Sequence, residues 1–233
     1  KALAVHSGMS AREIKLTLDN AVWGDYKFLY VSPERLNSEP FRERLAQMTV
    51  NLVTVDEAHC ISQWGYDFRP SYMNIIELRK ILPKAKFLAL TATATPKVAD
   101  DIQDKLGFEK KNLLKMSFER ENLNYLVRDN ENKNAYLIDT IKKVKGSGII
   151  YVRSRKGTRE IADELVSNSI SADFYHAGLS TLVRSRKQDS WIKGETRVIV
   201  ATNAFGMGID KPDVRFVIHI QPPDSLEAYY QEA

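Results

Sequence analysis

Six short runs of the chain are almost wholly apolar: FLYV at 28–31, LVTV at 52–55, FLALT at 87–91, GIIYV at 148–152, RVIVAT at 197–202 and RFVIHI at 215–220. Runs this continuous, rich in Val, Ile, Leu and aromatics, fit strands of a parallel sheet buried on both faces. Between them lie patterns of helical period, several with start or stop signals. Ser10 and Glu13 have the spacing of a capping box ahead of AREIKLTLDNAV. Ser71 stands before YMNIIELRKIL, which Pro83 terminates. Thr95 and Pro96 place a cap and an N1 proline ahead of KVADDIQDKL, and Gly107 closes that helix. Ser154 and Ser180 can cap two more helices. Strand and helix alternating in this way predict an α/β fold with mostly parallel sheets.

The alternation weakens once, at FERENLNYLVRDNENKN (118–134), which is polar and dense in charge. A domain boundary near residue 120 is expected there, dividing the chain into residues 1–120 and 121–233. GSG at 146–148 runs straight into a strand and reads as a turn, not a phosphate loop. At 233 residues, 43% hydrophobic and 27% charged, the composition is that of an ordinary globular protein. No apolar run approaches the roughly 20 residues that span a bilayer, and KALAVHSGMS lacks the build of a signal peptide. No membrane partner is expected. The one cysteine, Cys60, rules out an internal disulfide, and without a CxxC pair no zinc site is expected. A reducing, intracellular setting fits: cytoplasm or nucleoid in a bacterium, nucleus in a eukaryote. The formal net charge of +4 is compatible with nucleic acid without requiring it.

The densest chemistry is DEAHCISQWGYDFRP at 56–70. Asp56 and Glu57 follow the run VNLVTV, and ligands of open α/β sheets gather at the carboxyl ends of strands. An Asp there can hold Mg²⁺ through water, and the adjacent Glu can orient or deprotonate a water that attacks a γ-phosphate. An isolated Asp-Glu pair can equally be a helix cap. Trp64, Tyr66 and Phe68, with Arg69 behind them, offer aromatic faces for bases and a cation for phosphate or cation–π contact. Gln63, Asp67 and Arg69 make the segment too polar for a plain core strand.

DEAH has the form of the Walker B motif of superfamily 2 helicases, and CISQWGYDFRP resembles the aromatic-rich loop of the RecQ family of DNA helicases. YVSPERL (30–36), ALTATATP (89–96), NLNY (122–125), GIIYVRSRK (148–156), YHAGLS (175–180) and VATNAFGMGIDKPDVRFVIH (200–219) extend the resemblance along nearly the whole chain. It implies tandem RecA-like domains: the C-terminal part of a first over 1–120, and most of a second over 121–233. It implies ATP and Mg²⁺, with Asp56 toward the metal, Glu57 toward the water, and His59, Thr91 and Thr93 in coupling. It places Ser32, Arg35, Trp64, Phe68, Arg69, Arg153, Ser154, Arg155, His176 and Thr202 on DNA, single-stranded or at duplex junctions. Gly208, Asp210 and Gln231 fall to the nucleotide, and Gly206 with Gly208 lets backbone approach closely. Thr95 is better read as a helix cap than as part of the coupling.

Tyr66 stands where the family pattern has histidine, and Arg153 where it often has asparagine. No GxxxxGK[ST] phosphate loop occurs in these residues, and YYQEA (229–233) resembles the opening of motif VI without its arginines. The chain therefore reads as part of an ATP-dependent DNA helicase, with these 233 residues expected to be ATPase-deficient alone and the incomplete first domain open to swapping. The rival readings are a non-catalytic nucleic-acid-binding module and a remnant that binds a protein partner.

Overall fold

The computed structural model describes residues 1–6, 8–65, 67–117, 119–206 and 208–233. Tyr66, one of the three loop aromatics, lies outside the described residues, as does Met207. The chain divides into two compact units, Lys1–Met116 and Ser117–Ala233.

The first unit runs β1 (Ala2–Val5), α1 (Ala11–Trp23), β2 (Phe28–Val31), a 3₁₀ turn (Pro33–Asn37), α2 (Glu39–Leu45), β3 (Leu52–Val55) and a 3₁₀ turn (Ala58–Ile61). It continues with a longer 3₁₀ helix (Pro70–Glu77), α3 (Leu78–Ile81), β4 (Lys86–Ala89) and α4 (Pro96–Lys105). Its strands form two parallel pairs, β1 with β2 and β3 with β4. Leu29, Val31, Val53, Val55 and Phe87 pack on one core with Val5, Leu18, Phe41, Ile61 and Ile102. Their alternate neighbours Phe28, Tyr30, Leu52 and Leu88 stay exposed. The expectation of strands buried on both faces thus fails in this unit, because only one set of alternating side chains meets the core.

The Ser10 capping box forms, with Ser10 N–H donating to Glu13 Oε2 at 2.7 Å and Glu13 N–H to Ser10 Oγ at 3.3 Å. Thr95 Oγ1 accepts from Val98 N–H, and Gly107 follows α4 at φ +65°, a left-handed conformation that glycine adopts freely. The stretch after Ser71 differs from the helix its pattern predicts. Its first two turns are 3₁₀, and only four residues of α-helix follow. Tyr72, Ile75 and Leu78, each buried, recur every third residue, the period at which side chains align in a 3₁₀ helix. Ser71 caps nothing there; its hydroxyl donates to Glu34 Oε1 at 2.9 Å.

The second unit runs α5 (Lys133–Lys143), β5 (Ser147–Tyr151), α6 (Arg155–Ser167), β6 (Ala172–Tyr175), α7 (Thr181–Ile192), β7 (Val198–Ala201), β8 (Val214–His219) and α8 (Leu226–Glu232). One parallel sheet has the order β6-β7-β5-β8. The two central strands are buried throughout. Alternate residues serve opposite faces: Ile150, Val198 and Val200 join Leu137, Ile141 and Leu165, while Ile149, Tyr151, Ile199 and Ala201 join Trp191 and Phe205. Ser154 and Ser180 cap α6 and α7 as expected. The register between β5 and β8 slips at Ser147/Gly148, where a Cβ on Gly148 would sit 2.1 Å from the Phe216 ring. Arg197 ties the end of α5 to β7, donating to the carbonyls of Gly146 (2.9 Å), Ile141 (2.8 Å) and Val144.

Candidate functional site

β3 and β4 deliver the two halves of the first site. The ladder continues past them, Leu90 N–H donating to Val55 O and Ala58 N–H to Leu90 O. The segment holding Thr91 and Thr93 is thereby pinned beside the one holding Asp56 and Glu57. Glu57 adopts a left-handed backbone (φ 49°, ψ 42°), an uncommon state for a residue with a Cβ. Its N–H donates to Asp56 Oδ1 at 2.9 Å, so the pair closes a tight turn, and Asp56 is exposed at the strand end. Glu57 does stand at the N-cap position of the Ala58–Ile61 turn, but its side chain makes no cap hydrogen bond. Burial and the neighbouring Asp56 push its carboxyl above the usual range.

His59 is 2% exposed and links the two segments: Nδ1 lies 3.4 Å from Glu57 Oε2 and 3.0 Å from Thr91 Oγ1. Burial lowers its pKa and favours the neutral ring. Thr91 Oγ1 donates its only proton to Thr93 O at 3.1 Å, which leaves that oxygen as acceptor for an Nδ1–H of His59. Glu57, His59, Thr91 and Thr93 thus form one connected polar chain.

The aromatic loop hangs from the same turn. Cys60 N–H donates to Glu57 O at 2.9 Å, and Arg69 N–H to Cys60 O at 2.8 Å, closing the loop at its base. Gly65 lets the chain turn inside it, since a Cβ there would meet His59 O at 2.6 Å. Trp64 is 64% exposed, Phe68 is half-buried, and Arg69 reaches Asp67 Oδ2 through Nε (3.0 Å) and a terminal nitrogen (2.6 Å). Ser32 precedes the Pro33–Asn37 turn without capping it, and Arg35 donates to His6 O at 3.4 Å.

In the second unit, Arg153 is engaged within the chain, donating to Pro222 O (2.8 Å) and pairing with Asp224 (2.7 Å). Ser154 Oγ accepts from Gly157 N–H at 2.9 Å as the cap of α6. Arg155 approaches Gly178, where a Cβ would come within 2.9 Å of its guanidinium and 3.2 Å of His176 Nδ1. His176 Nδ1 is buried without a hydrogen-bond partner among the described residues. Thr202 follows β7 directly, its N–H donating to Tyr175 O at 3.3 Å. Gly206 (φ +116°) and Gly208 (φ +70°) both lie in the left-handed region, and a Cβ on Gly206 would meet the Tyr151 hydroxyl at 2.5 Å. That hydroxyl donates to Phe205 O at 2.8 Å, so the glycine is fixed by close approach as well as by its turn. Asp210 is exposed and Gln231 half-buried.

Sequence reasoning passed over several of these partners. Ser62 is fully buried and joins the aromatic loop to α4 through Asp101, 39 residues away. His59, Cys60 and Asp67 bring three potential metal donors within 4.8 Å of one another. Those donors have other partners: Asp67 Oδ2 accepts from Arg69, and burial pushes the Cys60 thiol up to about 11, against the thiolate a metal needs.

Residues 1–102 match the DEAD/DEAH box helicase family, and residues 132–233 match the helicase conserved C-terminal domain. The two matches, one on each side of residue 120, fit a fold of two RecA-like domains. The ATP-dependent DNA helicase RecQ of Bacillus subtilis is 45% identical over 234 residues, covering 100% of this chain and 40% of its own length. The probable ATP-dependent DNA helicase RecS of the same organism is 41% identical over 237 residues, covering 100% of this chain and 47% of its own. The chain is similar to RecQ helicases along its whole length, and it spans less than half the length of these relatives. The structure of Mycobacterium smegmatis helicase Lhr bound to ssDNA and AMP-PNP shares the fold, with a TM-score of 0.73 and 20% identity over 99% of this chain and 32% of that one. No helix among the described residues is long and apolar enough to cross a membrane.

Proposed function

We propose that the full-length protein is an intracellular enzyme that hydrolyses ATP with Mg²⁺ and uses the energy to separate the strands of DNA. The observation that carries this is the linkage of Glu57 to Thr91 through the buried imidazole of His59, with Asp56 accepting the Glu57 N–H and an aromatic loop suspended from the same turn. Asp56 suits Mg²⁺ because it is an exposed oxygen donor at a strand's carboxyl end, where the ion can keep much of its water shell. The ion, when bound, neutralises charge on the phosphates. Glu57 orients the attacking water and takes its proton, and its raised pKa makes it the better base. His59 holds Glu57 against the threonine segment, so a shift in either is felt by the other. Trp64 and Phe68 stack on bases, a sequence-tolerant contact suited to an enzyme that moves along any strand. Arg69 serves the same strand, as do Ser32, Arg35, Arg155, His176 and Thr202. Arg153 and Ser154 orient the loop at the start of α6 through the contacts they make within the chain. Gly208, Asp210 and Gln231 serve the nucleotide.

ATP turnover and strand separation by the full-length protein test this reading. Single-stranded DNA is expected to raise turnover well above the basal rate, an RNA of equal length to raise it far less, and chelation of Mg²⁺ to abolish it. Turnover indifferent to DNA, or raised equally by RNA, contradicts it.

A further inference from the structure

One row of α4 faces the aromatic loop at three successive turns. Lys97, Asp101 and Lys105 recur four residues apart, the spacing that places side chains along one helix face. Val98, Ala99 and Ile102, on other sides of the helix, are buried. The Lys97 ammonium lies 3.1 Å from the centroid of the Trp64 ring. The Asp101 carboxylate accepts from Ser62 Oγ at 2.6 Å, and that oxygen accepts from the Trp64 backbone N–H at 3.2 Å. Lys105 pairs with Asp101 at 3.0 Å, donates to Ile61 O at 3.2 Å and lies 6.0 Å from the Phe68 ring centroid. The loop therefore meets α4 at Ile61, Ser62, Trp64 and Phe68.

We propose that this row is the seat of the DNA-sensing loop, and that Lys97 is a positioning residue that holds Trp64 with its other face open to a base. This rests on the reading of the loop as a DNA contact. Trp64 remains 64% exposed with the ammonium in place, so a base can stack without displacing Lys97. A ring held in one orientation loses less freedom on binding than a free one. The cation acts on the ring and not on DNA phosphate, and α4 begins three residues after Thr93, so the seat is continuous with the segment that His59 reads.

The experiment measures binding of a fluorescein-labelled oligo-dT to the full-length protein across a range of salt concentrations. Lys97→Met is expected to weaken binding about two- to five-fold, the scale of an exposed cation–π contact, and Lys97→Arg to restore it. The slope of log affinity against log salt should stay that of the wild type. In a Trp64→Ala background, Lys97→Met should change nothing further. A salt slope shallower by about one makes Lys97 a phosphate contact and overturns the proposal. Unchanged or tighter binding by Lys97→Met overturns it too, as does a loss that simply adds to that of Trp64→Ala. If Trp64→Ala itself binds DNA like the wild type, the DNA role of the loop falls, and the seat with it.

Discussion

Glu57→Gln in the full-length protein is expected to lower ATP hydrolysis by about 10²- to 10⁴-fold, the range for loss of a general base. The substitution keeps the length of the side chain and its ability to accept a hydrogen bond. It keeps the left-handed backbone, which the ladder on either side of the turn imposes. What it removes is the basic oxygen. A Gln amide can still contact His59, so the polar chain to Thr91 and Thr93 persists while proton transfer does not. Binding of a non-hydrolysable ATP analogue should stay near wild type. Steady-state turnover with saturating DNA, beside an equilibrium titration of the analogue, checks both halves. A loss of less than about tenfold would reduce Glu57 to a residue that shapes the turn.

Trp191→Ala should cost about 3–5 kcal/mol of stability, read from chemical denaturation of the second unit's core. The side chain is 1% exposed and meets Phe205 edge-on, with ring centroids 5.2 Å apart. Its indole N–H has no hydrogen-bond partner among the described residues, so the loss is mainly one of packing and cavity, with the Lys211 ammonium 5.4 Å from the ring centroid adding a smaller part. Phe205 in turn packs on Tyr175 and lies beside the two left-handed glycines at 206 and 208, so the cavity also loosens that turn. Trp23, 80% exposed, supplies the contrast: its change to alanine should fall within about 0.5 kcal/mol of wild type. A Trp191→Ala loss near 1 kcal/mol would mean that the core collapses into the space.

The strands at 28–31, 52–55, 87–91, 148–152, 197–202 and 215–220 are legible to within a residue or two because their apolar runs are nearly continuous. β6 was not, since Asp173 interrupts it; its carboxylate is held by Lys187, a partner 14 residues on that no local pattern reveals. β1 escaped notice as four small and apolar residues between Lys1 and His6. The 3₁₀ helix after Arg69 carries an α-like pattern, and what sets it apart, the buried three-residue period and the bond from Ser71 to Glu34 37 residues earlier, has no local signature. In the site, Asp56, Glu57 and the aromatics were legible through the family pattern, and the turn geometry accounts for their adjacency. Ser62, Lys97 and Asp101 were silent, because their meaning lies in α4 turning one face to a loop more than thirty residues earlier. Arg197 was silent for the same reason: its three acceptors belong to the end of another helix and the turn beyond it.

On the proposed function the aromatic loop and the carboxylate pair act as one device, because the loop is hung from Glu57 O through Cys60 N–H and closed by Arg69 N–H on Cys60 O. The most direct test is the ATP turnover of full-length Trp64→Ala, measured without DNA and then with single-stranded DNA raised to saturation. The basal rate should remain close to wild type. Loss of one stacking contact should weaken DNA affinity by about 1–3 kcal/mol, which excess DNA overcomes. The stimulated rate should nevertheless stay well below wild type at saturation, because a bound strand no longer moves the turn. Full stimulation recovered by excess DNA would contradict it, leaving the loop a binding surface with no part in the chemistry.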